Sequence, residues 1–333
     1  MTIRVFEAFS GIGAQAEALK ELGIDYDVVG ISEIDKFAIK GYEAIHGHVK
    51  NYGDIRDVPR LPDCDLLTYS YPCTSVSING RQEGMKEGTG TPSSLIWEIG
   101  RLLNNCERLP DVLLMENVDA VLNNRNVTEF NKWIGFLKSL GYTSEYKILN
   151  AKDFGVPQNR KRVFMVSMLN GKKFIFPEGK KSIFMLRDFL NCRYGAPPEY
   201  YLDKDKLKNL QIYCKFEKPF SNELIQIGDL HKYKMDYMNR VYSINGVAPC
   251  IQTLQGGGRA PKILVDDGIR YIMPNECLRL QGFPEDAIQK LQSTLKSKTQ
   301  LYKVAGNSIA IPCLKAIFKA IYIDKSYTQH RGD

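Results

Sequence analysis

Histidine is scarce in this chain, with only His46, His48, His231 and His330 among 333 residues. That removes the commonest ligand of protein metal sites. His46-x-His48 could form one arm of such a site, but no carboxylate or cysteine cluster completes it. The eight cysteines are scattered from Cys64 to Cys313 and none falls in a Cys-x-x-Cys pair. Such spacing fits neither a disulfide framework nor a zinc module, so most are read as small buried hydrophobes. No long uncharged span occurs, and the amino terminus Met1-Thr2-Ile3-Arg4-Val5 enters a strand without a charged-then-apolar leader. The expectation is a soluble, cytoplasmic protein. Internal repeats and low-complexity tracts are also missing.

What is present is ordinary globular composition, 44% hydrophobic and 25% charged, at a length that suits one large domain and a smaller one. The net charge of +7 favours a polyanionic partner without selecting one. Strand-like runs (Ile3 to Phe9, Asp27 to Ser32, Asp65 to Tyr69, Asp111 to Glu116) alternate with helix-like runs (Ala14 to Leu22, Lys36 to His46, Ser94 to Asn104, Thr128 to Ser139). This is βαβ patterning, and it predicts a doubly wound, mostly parallel sheet. Tyr142 to Ile148 and Arg162 to Ser167 are joined without a helix, which predicts an antiparallel pair at one edge. Near Lys172 the texture turns Lys-rich, Tyr-rich and Pro-punctuated, as in Pro197-Pro198-Glu199-Tyr200-Tyr201, marking a second domain. Ile309 to Ile321 is again an amphipathic helix.

Four places carry chemistry. Phe9-Ser10-Gly11-Ile12-Gly13 makes a glycine-bearing strand-to-helix turn, and Glu33 stands 20 residues beyond Gly13. An acid there can accept the hydroxyls of a ribose, although short Gly-x-Gly segments also serve plain tight turns. Cys73 follows Pro72 after a buried strand, where open α/β sheets put their chemistry and where a partly exposed thiolate can be activated. The loop it opens, Thr74 to Gly90, holds four glycines, as a lid would. Glu116 closes the apolar strand Val112-Leu113-Leu114-Met115; a buried carboxyl there could hold a proton, or simply cap a helix or pair with a cation. Arg160 and Arg162 alternate, so a single strand would send both to one face, to solvent or to a pyrimidine carbonyl or phosphate.

In this order, Phe6-Glu7-Ala8-Phe9-Ser10-Gly11-Ile12-Gly13, Tyr71-Pro72-Cys73-Thr74, Met115-Glu116-Asn117-Val118 and Gln158-Asn159-Arg160-Lys161-Arg162 resemble the cytosine-C5 DNA methyltransferase family. Arg240-Val241-Tyr242-Ser243, Thr253, Gly256-Gly257-Gly258, Glu276 to Pro284 and Gly306-Asn307-Ser308 extend the resemblance over essentially the whole chain. The family's usual Pro-Pro-Cys-Gln is Tyr-Pro-Cys-Thr here, which leaves the nucleophile and its preceding proline intact.

The resemblance implies an α/β class I S-adenosylmethionine-dependent methyltransferase, Rossmann-like and doubly wound with an antiparallel edge strand, plus a small target-recognition domain. Residues 1–175 with a C-terminal helix at 303–325 would form the catalytic domain, and 176–300 the recognition domain and hinge, with a basic cleft between. It implies Cys73 as nucleophile, Glu116 acting on cytosine N3, and Arg160 and Arg162 completing the catalytic set. Phe9, Ser10, Gly11, Ile12, Gly13, Glu33, Ile34, Asp54, Ile55, Pro72, Asn307 and Ser308 would contact S-adenosylmethionine, Asp54 and Ile55 at the adenine. Ile34 stands where the family often has an aromatic. Asn79, Arg81, Arg240, Tyr242, Thr253, Gly256, Gly257 and Gly258 would contact DNA, Asn79 entering the space left by a flipped base. The implied partners are double-stranded DNA and, genetically, a restriction endonuclease; the implied state is a nucleoid-associated monomer without metal or membrane. A tRNA cytosine methyltransferase shares the catalytic set but typically carries a Cys-Phe-Thr signature that this chain lacks. A catalytically silent DNA-binding relative would have no need of Cys73, Glu116 and Arg162.

Overall fold

The computed structural model describes residues 2–75, 84–191, 195–213, 221–253 and 259–329. In chain order the first elements are β1 (Ile3–Ala8), α1 (Ala14–Glu21), β2 (Tyr26–Ser32), α2 (Lys36–His46), β3 (Leu66–Tyr69), α3 (Ile96–Asn104), β4 (Val112–Val118) and α4 (Val127–Ser139). They are followed by β5 (Tyr142–Asn150), β6 (Gln158–Asn159), β7 (Lys161–Leu169), β8 (Lys172–Phe174), β9 (Gln211–Ile212), β10 (Gln226–Asp229) and β11 (Arg240–Ser243). The chain ends with β12 (Ala248–Pro249), β13 (Lys262–Val265), β14 (Gly268–Tyr271), four helices and β15 (Tyr327–Gln329). A one-turn helix, α5 (Lys204–Leu207), precedes β9; the four later helices are α6 (Pro274–Leu280), α7 (Glu285–Thr294), α8 (Lys298–Asn307) and α9 (Ile311–Phe318).

The chain divides into two compact units, one of 1–149, 161–178 and 313–333, the other of 150–160 and 179–312. The first holds a six-stranded sheet in the order β2-β1-β3-β4-β7-β5. Strands β1 to β4 run parallel and β7 runs antiparallel to β4. All four residues of β3 are buried, as are the first six of β4, which is why both read as near-continuous apolar runs rather than alternating ones. Beside them packs an aromatic group in which Trp133 stacks on Phe136 and donates to the Tyr69 hydroxyl at 3.1 Å. Burying these rings removes a large apolar area from water and fixes α3 and α4 on β3.

The second unit has its own five-stranded sheet, β14-β13-β11-β10-β9, with β11 and β13 parallel and the other pairs antiparallel. Its core gathers Leu202, Ile225, Ile227, Leu230, Val241 and Ile269. Arg270 and Glu276 form a fully buried two-pronged ion pair, 2.8 Å on each side, and Glu276 also accepts from the Met273 N–H. The carboxylate thereby caps α6 while neutralising the guanidinium, which is what makes burying two charges tolerable.

Three sequence-based boundaries shift. Residues 150–160, expected in the first unit, belong to the second, and the return to the first comes at Cys313 rather than 303. The stretch Lys298–Ile323 is helical and apolar enough to span a membrane by length and composition, although Lys298, Lys303, Lys315 and Lys319 keep it from being an uncharged run. Most of its apolar window, 72%, is buried in the protein, as for a core helix, and Ser308 to Ala310 interrupt it.

Candidate active site

The carboxyl ends of β1 and β2 lie side by side, Ala8 opposite Ser32. Between β1 and α1 the backbone turns through left-handed conformations at Phe9 (φ 57°), Gly11 (φ 58°) and Gly13 (φ 77°). Phe9 occupies a region that costs a side-chain-bearing residue on the order of 1–2 kcal/mol, and the Phe9 N–H to Ser32 carbonyl bond at 2.7 Å helps hold it there. A β-carbon on Gly13 would lie 2.5 Å from His46 Nε2, whereas one on Gly11 would meet nothing within 4 Å. Gly13 is therefore needed for packing, and Gly11 leaves open space before the turn. Ser10 is buried and its hydroxyl has no partner among the described residues; Ile12 is buried too.

Glu33 closes this turn. Its carboxylate accepts from the N–H groups of Gly11 at 2.9 Å, Ile34 at 2.9 Å and Asp35 at 2.8 Å, and burial raises its proton affinity against those bonds. A carboxylate so placed retains lone pairs for further donors. Asn51 fastens the neighbouring strand end, accepting from Glu33 N–H at 3.1 Å and Gly53 N–H at 3.0 Å while donating to the Glu33 carbonyl at 3.0 Å. Ile34 is 71% exposed, an apolar side chain left beside a polar turn. Asp54 caps a short turn and is bound by Arg56, which lowers its pKa. Ile55 is buried in the core, so its expected packing on a ligand ring finds no exposed surface.

The parallel register of β3 and β4 sets Tyr69 opposite Met115, so the chain leaving β3 runs beside Glu116 and Asn117. Asn117, buried, donates to the Tyr71 carbonyl at 3.0 Å, and the Ser93 hydroxyl donates to the Pro72 carbonyl at 2.7 Å. Cys73 follows, half-buried, with Thr74 exposed. The loop base is closed by the Gly84 N–H on the Ser75 carbonyl at 2.9 Å, and Trp97 Nε1 donates to the Met85 carbonyl at 3.1 Å. Across β4 and β7, Val118 pairs with Arg162, and Arg162 Nε lies 3.3 Å from the buried Glu116 carboxylate. Arg162 Nη1 also donates to the Lys161 carbonyl at 2.7 Å. A thiol, an acid and a guanidinium thus share the carboxyl edge of one sheet.

Arg160 does not join them. It lies between β6 and β7, in the other unit, so the two arginines do not share one strand and one face. Its guanidinium is 3% exposed and donates to the carbonyls of Ile251 at 2.9 Å, Gly306 at 3.1 Å and Ser308 at 2.6 Å. Of the other expected contacts in this unit, Asn307 is exposed while Ser308 is buried. Arg240 is engaged by Asp236, Thr253 is half-buried, and Tyr242 is buried within β11, where it supplies packing rather than surface. Asn79, Arg81, Gly256, Gly257 and Gly258 lie outside the described residues.

Sequence reasoning missed the amide and hydroxyl groups that hold these parts: Asn51, Ser93, Asn117, Gln158 and Gln281. The Glu116-Asn117-Val118 run was visible, but a side-chain bond to a loop backbone has no periodic signature. The cysteines behave as expected at Cys64, Cys277 and Cys313, which are buried, while Cys73, Cys106 and Cys250 are half-buried. Around the first turn, the open face of Gly11, the unpaired Ser10 hydroxyl, the remaining lone pairs of Glu33 and the bare Ile34 side chain fit a nucleoside with a polar chain.

A family model described as C-5 cytosine-specific DNA methylase matches residues 3–323. The Type II methyltransferase M2.ScrFI of Lactococcus lactis subsp. cremoris is 32% identical, over 96% of this chain and 99% of that protein. The orphan methyltransferase M.SssI of Spiroplasma monobiae is 35% identical, over 96% and 97%. Among solved structures, the Entamoeba histolytica methyltransferase EhMeth superposes with a TM-score of 0.75 at 16% identity, covering 98% of this chain and 99% of that one. The S. pombe Dnmt2 methyltransferase gives 0.68 at 20% identity, covering 95% and 97%. These structural likenesses speak to the fold.

Proposed function

The chain belongs to the C-5 cytosine-specific DNA methylase family, and from that premise we propose that it methylates a specific duplex DNA sequence through a covalent bond from Cys73 to the base. The observation that carries this reading is the Glu116–Arg162 pair at 3.3 Å on the sheet edge where the Cys73 loop is anchored to Asn117.

Cytosine C5 is a weak nucleophile and is hidden in a stacked duplex, so the base has to leave the helix to be modified. The Cys73 thiolate adds to C6, and the electron pair of the C5–C6 double bond moves to C5. Glu116 holds or supplies the proton at N3 that this charge shift requires. Arg162 orients the ring, its guanidinium kept in place by Glu116 and the Lys161 carbonyl. Once C5 carries the methyl group, loss of the C5 proton to water or hydroxide expels Cys73 and restores the ring. Gly11, Ser10 and Glu33, with Ile34, would hold S-adenosylmethionine. That cofactor, when bound, supplies a methyl group made electrophilic by its sulfonium.

The bacterial relatives are named as type II or orphan methyltransferases, which supports a role in a restriction-modification or DNA-modification system and action in the cytoplasm on chromosomal or phage DNA. The test is to incubate the purified protein with labelled S-adenosylmethionine and, separately, duplex DNA and tRNA, then to sequence the DNA after bisulfite treatment. Label in duplex DNA, at cytosines within one short motif, is the expected outcome; label confined to tRNA, or in neither, defeats the reading.

A further inference from the structure

Within the first unit, one hydroxyl group holds the backbone on both sides of Cys73. The Ser93 side chain donates to the Pro72 carbonyl at 2.7 Å and accepts from the Ser75 N–H at 3.3 Å. A hydroxyl has one proton to give and lone pairs to take with, so a single serine can do both at once. Ser93 is wholly buried and Ser75 is 1% exposed. Loss of the hydroxyl would therefore leave a buried acceptor and a buried donor without their partner. The carbonyl just before these, that of Tyr71, is held separately by Asn117 from β4.

Ser93 is itself presented from a fixed platform. It sits in the 3₁₀ turn Pro92–Leu95, which runs directly into α3, and Ile96, Ile99, Leu102 and Leu103 anchor that helix in the core. Thr91 caps the turn, its hydroxyl accepting from the Ser94 N–H at 3.2 Å and donating to the Gly84 carbonyl at 3.1 Å, while the Ser94 hydroxyl returns to the Thr91 carbonyl at 2.7 Å. On the other side, the pyrrolidine ring fixes φ at Pro72. A bond to its carbonyl then sets the plane of the Pro72–Cys73 peptide. With the Thr74–Ser75 peptide also held, only the two soft dihedrals each of Cys73 and Thr74 lie between the two anchors.

We propose that Ser93 is a positioning residue for methyl transfer: by holding the peptides on either side of Cys73 it sets the direction from which the sulfur approaches the base, without touching substrate or cofactor itself. The inference rests on the functional reading that Cys73 is the nucleophile. Addition to C6 needs sulfur and carbon aligned at about 3–3.5 Å, and a misplacement of about 1 Å costs on the order of 10²-fold. Binding of DNA and cofactor does not depend on that alignment. The loss therefore falls on the chemical step, whereas a merely structural serine would lower the folded fraction and move every measurement in proportion.

The experiment compares Ser93→Ala and Ser93→Thr with the intact protein on a duplex carrying the bisulfite-mapped site. Single-turnover methylation at saturating S-adenosylmethionine is followed beside the dissociation constants of that duplex and of S-adenosylhomocysteine, with circular dichroism as the check on folding. In Ser93→Ala the rate should fall about 10²-fold while both dissociation constants stay within about 3-fold. Ser93→Thr keeps the hydroxyl and should recover most of the rate. If the alanine variant does not fold, Ser93→Cys takes its place: its S–H is a weaker donor on a side chain of similar shape, and a slowing of about 10-fold is expected. A folded alanine or cysteine variant at the intact rate, a rate loss matched by equal losses of affinity, or a folded threonine variant as slow as the alanine one overturns the inference. Failure of the intact protein to methylate the duplex, or normal turnover by Cys73→Ser, is a different result: it sinks the functional reading and this inference with it.

Discussion

At position 73, Cys73→Ser changes one atom, yet it exchanges a group that ionises within reach of neutrality for one that does not. Methyl transfer should fall below detection while binding of the duplex stays within a few-fold, measured by label incorporation and by gel shift on the same preparation; turnover at the normal rate removes Cys73 from the mechanism. Glu116→Gln keeps shape and hydrogen bonding but not proton exchange, so single-turnover methylation should slow by about 10²–10⁴. Its affinity for S-adenosylhomocysteine should not move, and loss of that affinity would make Glu116 structural. Elsewhere in the first unit, Glu7 is wholly buried and burial pushes its carboxyl up to about 7. Its folded pKa lies above the unfolded value, so the folded state binds the extra proton, and stability is lost as pH rises from about 4.5 to about 7, by about 3 kcal/mol. Glu7→Gln should flatten that fall in denaturant titrations at pH 5 and pH 8; an unchanged slope contradicts the assignment. Arg160 and Arg162 show what sequence could not distinguish at this scale. Both are arginines two positions apart, and only the fold tells which one faces a carboxylate and which is consumed by carbonyls.

Among elements, the turn between β1 and α1 separates two glycines that look alike in sequence. Gly13→Ala would force a side chain into a left-handed backbone and onto His46 and Tyr42, whereas Gly11→Ala meets open space and pays only the backbone cost of about 1–2 kcal/mol. The first should lower the melting temperature more than the second. The second should weaken S-adenosylmethionine binding more than its small stability loss explains, since its β-carbon enters the space left for the ligand. Calorimetry on both variants checks the two orders at once. Strands β1 to β4 and helices α1 to α4 were legible to within two residues because their apolar runs and amphipathic stripes are long. The pairing of β6 with β12 was not, since two-residue strands carry no period. Nor was the break at Ser308 to Ala310, where the composition stays apolar through an interruption in the backbone.

On the scale of the whole molecule, the change of texture near Lys172 lies close to a division at 178/179, yet the chain crosses between units four times rather than the expected twice. Sequence alone had no signal for residues 150–160, because membership there is set by side-chain bonds to Ile251, Gly306 and Ser308 rather than by local pattern. The Lys-rich, Tyr-rich segment from about Lys172 to Asn239 has no catalytic assignment and is the proposed seat of target choice. Exchange for the corresponding segment of a relative with a different target should transfer the methylated motif, read by bisulfite sequencing; retention of the original motif places recognition elsewhere. The central claim, a covalent bond from Cys73 to cytosine C6 during transfer to duplex DNA, is tested most directly by mass spectrometry. The probe is a duplex with 5-fluorocytosine at the target position, in the presence of S-adenosylmethionine. Fluorine cannot leave as a proton, so the account predicts a denaturation-resistant adduct whose digested peptide carries the base on Cys73. A product without any adduct, or an adduct on another residue, would contradict it.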